Sequence, residues 1–267
     1  MNTTHNTSQL RSLALDITSE NMSYLIYGNV DKIETGTIKL INNAGDFCKA
    51  LENAVYDNAF LLNDYANANI AVHSQHFALM PQEMVKCGMA QKVLEASFTT
   101  VDGDMLSCLI AGTDAAIACD SPHGVVGFLR RTFTGAKLLH HLAPLCSYSV
   151  GAYAEETACM HISLNKIEAH IVVVANGKLH MANTFQYRAL EDVAYYALNM
   201  WKTCQLDNKR DKVLLTGENE PRTLLAEQLR QWIAYVMPEV VPAQALRLLG
   251  GNATTLPFNL ITLALSN

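Results

Sequence analysis

The chain has 267 residues, half of them apolar and 16% charged, with a formal net charge of −6. That length holds one large domain or two ordinary ones, each with a well-filled core. The acidic balance excludes a general binder of phosphate backbones or acidic membranes, which needs surplus Lys and Arg, so no nucleic-acid partner is expected.

Seven cysteines (Cys48, Cys87, Cys108, Cys119, Cys146, Cys159, Cys204) are scattered without a Cys-x-x-Cys pair. An odd count without framework spacing points to reduced, mostly buried thiols. No apolar run reaches the ~20 residues that span a bilayer. The polar start Met1-Asn-Thr-Thr-His-Asn-Thr-Ser8 lacks the basic and apolar regions of a signal peptide. A cytoplasmic location without a membrane span is the expectation.

Residues 1–10 read as a disordered lead. Ser12 to Tyr27 is apolar in two runs separated by the polar cluster Thr18–Asn21, and Gly28-Asn29 is a hairpin signal before a third strand, Ile33–Ile41. Asp46 then caps a stripe of mostly apolar residues (Phe47, Leu51, Ala54, Val55, Asn58, Leu61, Leu62, Tyr65) at helical spacing. Ala68 to Leu79 returns to extended structure. This β-β-β-α-β order is the core of a ribonuclease H-like lobe.

Residues 82–145 break the rhythm and read as an inserted α+β subdomain. The expectation is a helix from Pro81 to about Glu95, strands near Phe98–Val101, Met105–Ala111 and Ala115–Cys119, and a helix over Val125–Leu142 weakened at Thr132–Gly135. After it the first pattern returns. Three strands fall between Ser147 and Tyr187, with an Asn176-Gly177 turn, before a helix over Leu190–Thr203 and a short buried strand at Lys212 that stops at Gly217. A helix over Leu224–Val236, a strand within Val240–Leu248 and a final element over Phe258–Leu265 complete the chain. In this reading Asp16 aligns with His161 and Gly28-Asn29 with Asn176-Gly177. The expected class is α/β, with an N-terminal lobe over 1–145 and a C-terminal lobe over 146–267.

Two such lobes resemble the actin-like ATPase superfamily, which includes actin, hexokinase, heat-shock chaperone ATPases and the bacterial FtsA and PilM proteins. More narrowly, residues 12–265 resemble a Bacteroidetes family of uncharacterised proteins with an actin-like ATPase fold. The local carriers are Leu-Asp-Ile-Thr-Ser (15–19), Phe-Ala-Leu-Met-Pro (77–81) and Val-Leu-Leu-Thr-Gly-Glu (213–218). The resemblance implies ATP bound with Mg²⁺ through two Asp-x-Gly hairpin turns and a Gly-Gly adenosine loop.

The corresponding residues here depart from that pattern. Asp16-Ile17-Thr18-Ser19 keeps the aspartate but has Thr18 for glycine, and His161-Ile162-Ser163 lacks both. Leu214-Leu215-Thr216-Gly217-Glu218 keeps one glycine of two. A Cβ in a phosphate turn crowds the backbone approach, His161 removes a hard oxygen ligand, and Glu218 repels an anion. The cleft candidates are therefore Asp16, Thr18, Ser19, His161, Ser163, Thr216, Gly217 and Glu218, forming a degenerate nucleotide site with no assigned metal ligand. The expected function is a non-catalytic scaffold or interaction protein with a protein partner, requiring neither ATP nor Mg²⁺. The alternative is an active Mg-ATP-dependent ATPase or phosphotransferase using Asp16.

Other patterns carry less. His73 and His76 have His-x-x-His spacing, but on a strand they face opposite sides, which favours ordinary partly buried histidines over a metal pair. Arg130, Lys137 and His141 would share one face of a helix, either a docking surface for an acidic partner or a solvated face. Tyr195, Tyr196 and Trp201 read as packing residues. No Gly-x-Ser-x-Gly elbow, Walker loop or Gly-x-Gly-x-x-Gly is present.

Overall fold

The structure, a computed structural model, describes residues 11–28, 32–42, 45–153 and 158–266. The expected lead over 1–10 and the Asn29 half of the first hairpin signal lie outside these residues. Two five-stranded sheets dominate. In the first, β1 (Ser12–Ile17), β2 (Asn21–Tyr27), β3 (Glu34–Lys39), β4 (Ala68–Val72) and β8 (Lys137–His140) run in the order β3-β2-β1-β4-β8. The second contains β9 (Ala158–Leu164), β10 (Glu168–Ala175), β11 (Lys178–Gln186), β12 (Lys212–Thr216) and β13 (Tyr235–Pro238), in the order β11-β10-β9-β12-β13. Both orders are the same. In each sheet the first three strands are antiparallel and the last two run parallel to the first.

A third sheet has the order β5-β7-β6, built from β5 (Phe77–Pro81), β6 (Asp104–Leu109) and β7 (Ala115–Ser121). Two helices, α2 (Gln82–Lys86) and α3 (Ala90–Ser97), lie between β5 and β6, where one helix was expected. Gly88 separates them in the left-handed region at φ +72°. Residues 98–103 carry no strand. The separate sheet therefore occupies 77–121, a smaller block than the expected 82–145. The next strand, β8, already belongs to the first sheet.

The helix expected over Val125–Leu142 is instead α4 (Val125–Thr132) and then β8. The chain turns at Gly135 (φ +79°), and Leu138 and Leu139 pair with Ile70 and Ala71 of β4. Burying an extended apolar run against a parallel neighbour outweighs local helical spacing. Arg130 and Lys137 thus sit on different elements and share no helix face.

Helices cover both faces of each sheet. On the first, α1 (Phe47–Tyr56) and α4 close one face around Leu13, Leu15, Leu51 and Leu129. Asp46 caps α1 as expected, accepting from Lys49 N at 3.0 Å. On the second, α6 (Leu190–Thr203) and α7 (Asn219–Leu229) cover Ile162, Ile171, Val213 and Val236. Trp201 is buried there and donates to Asn208 Oδ1, while Tyr196 stacks on Phe185 at 4.3 Å, so both serve packing.

The inner faces are covered by exchange. Helix α5 (Ala143–Ala152) comes directly after β8 of the first sheet, yet Leu145, Cys146 and Val150 pack with Val172, Val174 and Ala182 of the second. Helices α8 (Ala243–Leu249) and α9 (Phe258–Ala264) come after the second sheet, yet Ala245, Leu249, Leu260 and Leu263 pack on Ala14, Leu25, Tyr27 and Ala71 of the first. The helix α8 replaces the strand expected within Val240–Leu248. Asn69 Nδ2 donates to Leu263 O across this contact. Each fully buried leucine here contributes about 1.5–3 kcal/mol by leaving water, so neither lobe is complete without the other's helix.

Candidate functional site at the cleft between the lobes

The ends of β1 and β9 lie beside the cleft between the two sheets, each leading into a four-residue turn. Ile17 pairs with Met22 around Thr18–Asn21, and Leu164 pairs with Ala169 around Asn165–Glu168. This frame makes Asp16 the counterpart of Ser163 and Thr18 the counterpart of Asn165. The expected alignment of Asp16 with His161 is displaced by two residues. A shift of two preserves the face of the strand, so hydrophobic alternation could not reveal it.

Each turn is closed by its own first residue. Thr18 Oγ1 accepts from Glu20 N at 3.3 Å and Asn21 N at 3.0 Å, and Thr18 N donates to Asn21 O at 2.9 Å. Asn165 Oδ1 accepts from Ile167 N at 3.0 Å and Glu168 N at 2.7 Å, and Asn165 N donates to Glu168 O at 3.0 Å. A phosphate turn works by presenting unengaged N–H groups to an anion. Three of the four such groups in each turn are already used here.

Asp16, at the end of β1, has both oxygens engaged. Oδ1 meets His73 Nε2 at 3.0 Å, and Oδ2 accepts from Asn259 Nδ2 on the first turn of α9. The other nitrogen of His73, Nδ1, lies 3.7 Å from Glu168 Oε2 in the turn of the other lobe, and Gln75 Nε2 donates to Glu168 Oε1 at 3.4 Å. Burial works against a charged His73, but ionised Asp16 and Glu168 outweigh it and raise its pKa to about 9. Burial likewise opposes ionisation of Asp16, yet His73 and Asn259 hold its pKa below the ordinary value. His73, an ion-pair partner at 3.7 Å, is the main cause of the lowered pKa of Glu168.

Around this bridge lies a set of neutral histidines. His141 stacks on His73 with ring centres 4.1 Å apart and planes 13° from parallel. Asn165 Nδ2 sits 3.5 Å from His170 Nε2. His170 Nδ1 and His141 Nε2 both meet Thr184 Oγ1, at 3.1 and 3.0 Å. The amide nitrogen of Asn165 can only donate, which assigns the proton of His170 to Nδ1 and the hydroxyl proton of Thr184 to His141. His141 Nδ1 then carries a proton, and it is buried without a hydrogen-bond partner. His140 Nδ1 accepts from Leu142 N and its Nε2 donates to Ser74 O, which fixes the neutral form. Burial lowers the pKa of His140 to about 3 and that of His170 to about 4, with charged His73 acting in the same direction. It takes His141 well below its ordinary value.

The cavity left between Asp16, His73, His141, Ser163, His170 and Asn259 measures about 20 Å³. That is room for one water, against the several hundred Å³ of a small-molecule site.

The other expected site residues have structural roles or stand apart from the cavity. His161 is fully buried beside Tyr148 and Phe258, within 3.5 Å of Ser149 Oγ and 3.4 Å of Thr216 Oγ1. Burial alone pushes its pKa to about 3, so it is a neutral core residue, three residue pairs in from the pair that closes the turn. Gly217 sits at φ +125°, where a Cβ would stand 2.7 Å from Leu164 O. The close approach of strand to turn accounts for this glycine without a ligand. Ser19 and Glu218 are exposed.

Sequence reasoning missed His73, His141, Glu168, His170 and Asn259 as cleft residues. β4 stops at Val72, so His73 and His76 are not on a strand: His73 turns to Asp16 and His76 Nδ1 to Asp120 Oδ2 at 3.0 Å. Among the described residues no three His, Cys, Asp or Glu side chains are placed to hold a metal ion.

Residues 1–236 match the model of a family described as a protein of unknown function, DUF3822. The chain belongs to the DUF3822 family. It is similar to a Bacteroides thetaiotaomicron VPI-5482 protein with actin-like ATPase fold and unknown function, at 21% identity and a TM-score of 0.76, over 87% of this chain and 91% of that one. It is also similar to a chain of a PilM-PilN type IV pilus biogenesis complex, at 12% identity and a TM-score of 0.62, over 95% and 97% of the two chains. A comparison with curated proteins returns no match. These likenesses give the DUF3822 chain its fold: two sheet-and-helix lobes in the actin-like ATPase arrangement. No helix among the described residues is long and apolar enough to cross a membrane.

Proposed function

We propose that this DUF3822 protein is a non-catalytic, actin-fold scaffold that acts through a protein partner, with a cleft that no longer takes nucleotide. The observation that carries this reading is the state of Asp16. Both of its oxygens are held by the protein's own His73 and Asn259, beside a cavity of about 20 Å³. The self-closed turns at Thr18 and Asn165 support the same conclusion, because their amide donors are spent locally. The similar PilM chain is found in a complex with PilN, which supports a scaffold role at the level of the fold. Buried thiols at Cys108, Cys119 and Cys146, none in a disulfide, support a reducing cytoplasmic setting.

The test is thermal unfolding and phosphate release with and without Mg-ATP. A ligand present at about 100 times its Kd adds about 2.7 kcal/mol to stability, which a melting curve resolves readily. The expected result is no shift and no turnover. Stabilisation by Mg-ATP, with phosphate release that disappears in Asp16→Ala, overturns the reading in favour of an ATPase or phosphotransferase.

A further inference from the structure

We infer that His73 is an internal cation that locks the two lobes together, taking over the bridging that a bound nucleotide and its metal would supply in an open cleft. This rests on the reading of the cleft as closed to nucleotide, and it adds what keeps it closed.

The geometry is specific. Asp16 is the penultimate residue of β1 in the first sheet, and Glu168 is the first residue of β10 in the second, just past the turn. A single imidazole stands between them, with one ring nitrogen 3.0 Å from Asp16 Oδ1 and the other 3.7 Å from Glu168 Oε2. Only the doubly protonated ring presents a donor to each side. Both carboxylates are nearly buried, so without the ring two negative charges would be left with little solvent to screen them.

The rest of the cluster holds that ring in place. His141 stacks flat against it and is tied through Thr184 to the second sheet, and His170 meets its edge with ring centres 6.0 Å apart. The remaining imidazole, His140, is hydrogen-bonded to Ser74 O. These three stay neutral and add no competing cation. Gln75, from the segment that carries His73, makes a second polar link across the cleft to Glu168. The backbone of His73 is anchored as well, donating to Ile17 O at 3.0 Å as a continuation of β1–β4 pairing. The ring therefore projects from the rigid end of one sheet into the turn of the other. The exchanged helices α5 and α9 hold the lobes near one another, and the His73 bridge selects the closed arrangement.

Spin labels attached through unnatural residues at the exposed positions Glu20 and Lys166, one on each turn, report the separation of the lobes. In the wild-type chain one narrow distance is expected, unchanged by Mg-ATP. His73→Gln, which keeps polarity and loses charge, is expected to add a second, longer distance. Glu168→Gln, which leaves the His73–Asp16 pair intact, is expected to broaden the distribution in the same direction and serves as the test if His73→Gln does not fold. Folded variants that retain the wild-type distribution overturn the lock. Mg-ATP that shifts the wild-type distribution overturns the nucleotide-free reading instead, so the two failures are separable.

Discussion

Asn259 and Asp16 are 243 residues apart and joined by a side-chain hydrogen bond in which the amide Nδ2 donates to the carboxylate Oδ2. The last helix of the chain thereby reaches back to the end of β1. Asp16 belongs to a folded network spanning both ends of the sequence, and that placement sets its energetic role.

Asp16→Ala is expected to destabilise the protein by about 3–5 kcal/mol, because it removes the nearer carboxylate from a buried charged His73. Asn259→Ala is expected to cost about 1–3 kcal/mol, because it takes the donor away from a buried carboxylate oxygen, although Asn259 itself is exposed. Urea unfolding measures both. An unchanged midpoint for Asp16→Ala would show that the carboxylate is held for chemistry and not for structure.

Stability is expected to peak near pH 6.5. His73 is raised from 6.5 to about 9, so its contribution is complete below 6.5 and is lost as the pH rises through 9. His140, His161 and His170 are depressed to between about 3 and 4 by burial. Below pH 6.5 the unfolded chain takes up protons that these folded imidazoles refuse, so stability falls on the acid side as well. Asp16, with its pKa lowered from 3.8, adds a further loss below that value. Melting temperatures across pH 4–10 check the shape. His73→Gln is expected to flatten the alkaline arm and to change the acid arm as well, because His73 holds down the pKa of Asp16 and Glu168.

Gly217→Ala is expected to lower stability by about 1–3 kcal/mol without any ligand present. The added Cβ would meet Leu164 O at 2.7 Å and Leu164 Cβ at 2.9 Å, in a backbone conformation at φ +125° that disfavours side chains. The same loss with and without Mg-ATP identifies this glycine as a packing residue.

Leu263→Ala in α9 is expected to cost about 2–5 kcal/mol, as deletion of a fully buried leucine does. Its partners Ala14, Leu25 and Ala71 belong to the first sheet, so hydrogen exchange should rise in β1, β2 and β4. Increased exchange confined to the second sheet would contradict the exchange of helices between lobes.

Cys87 is expected to react with iodoacetamide in the folded protein, whereas Cys108, Cys119 and Cys146 react only on unfolding. The first is exposed, while burial pushes the Cys108 thiol up to about 11 and the other two higher still. Mass spectrometry of alkylated peptides distinguishes them.

Much of the architecture is legible in the sequence because it is written in short-range pattern. The apolar runs on either side of Thr18–Asn21, the Asp46 cap and the Asn176-Gly177 turn (φ +51° and +69°) are local signals, and the strands and helix they mark are present. The recurrence of β-β-β-α-β reflects two sheets of one order, which the fold of similar structures bears out. The departure from Asp-x-Gly at Thr18 is equally visible in the chain itself, whereas its counterpart at Asn165 is not.

Tertiary structure alone decided the rest. The extended form of Lys137–His140 depends on a partner strand, Ala68–Val72, that is distant in the chain, and helical spacing cannot register it. The counterpart of Asp16 is Ser163 because hydrogen-bond register, and not face alternation, aligns two strands. His73, Glu168, Thr184 and Asn259 carry no motif. They form one network because α9 crosses back onto the first sheet and the two lobes meet there, and electrostatics across a nearly buried cleft depends on distances that composition and spacing do not encode.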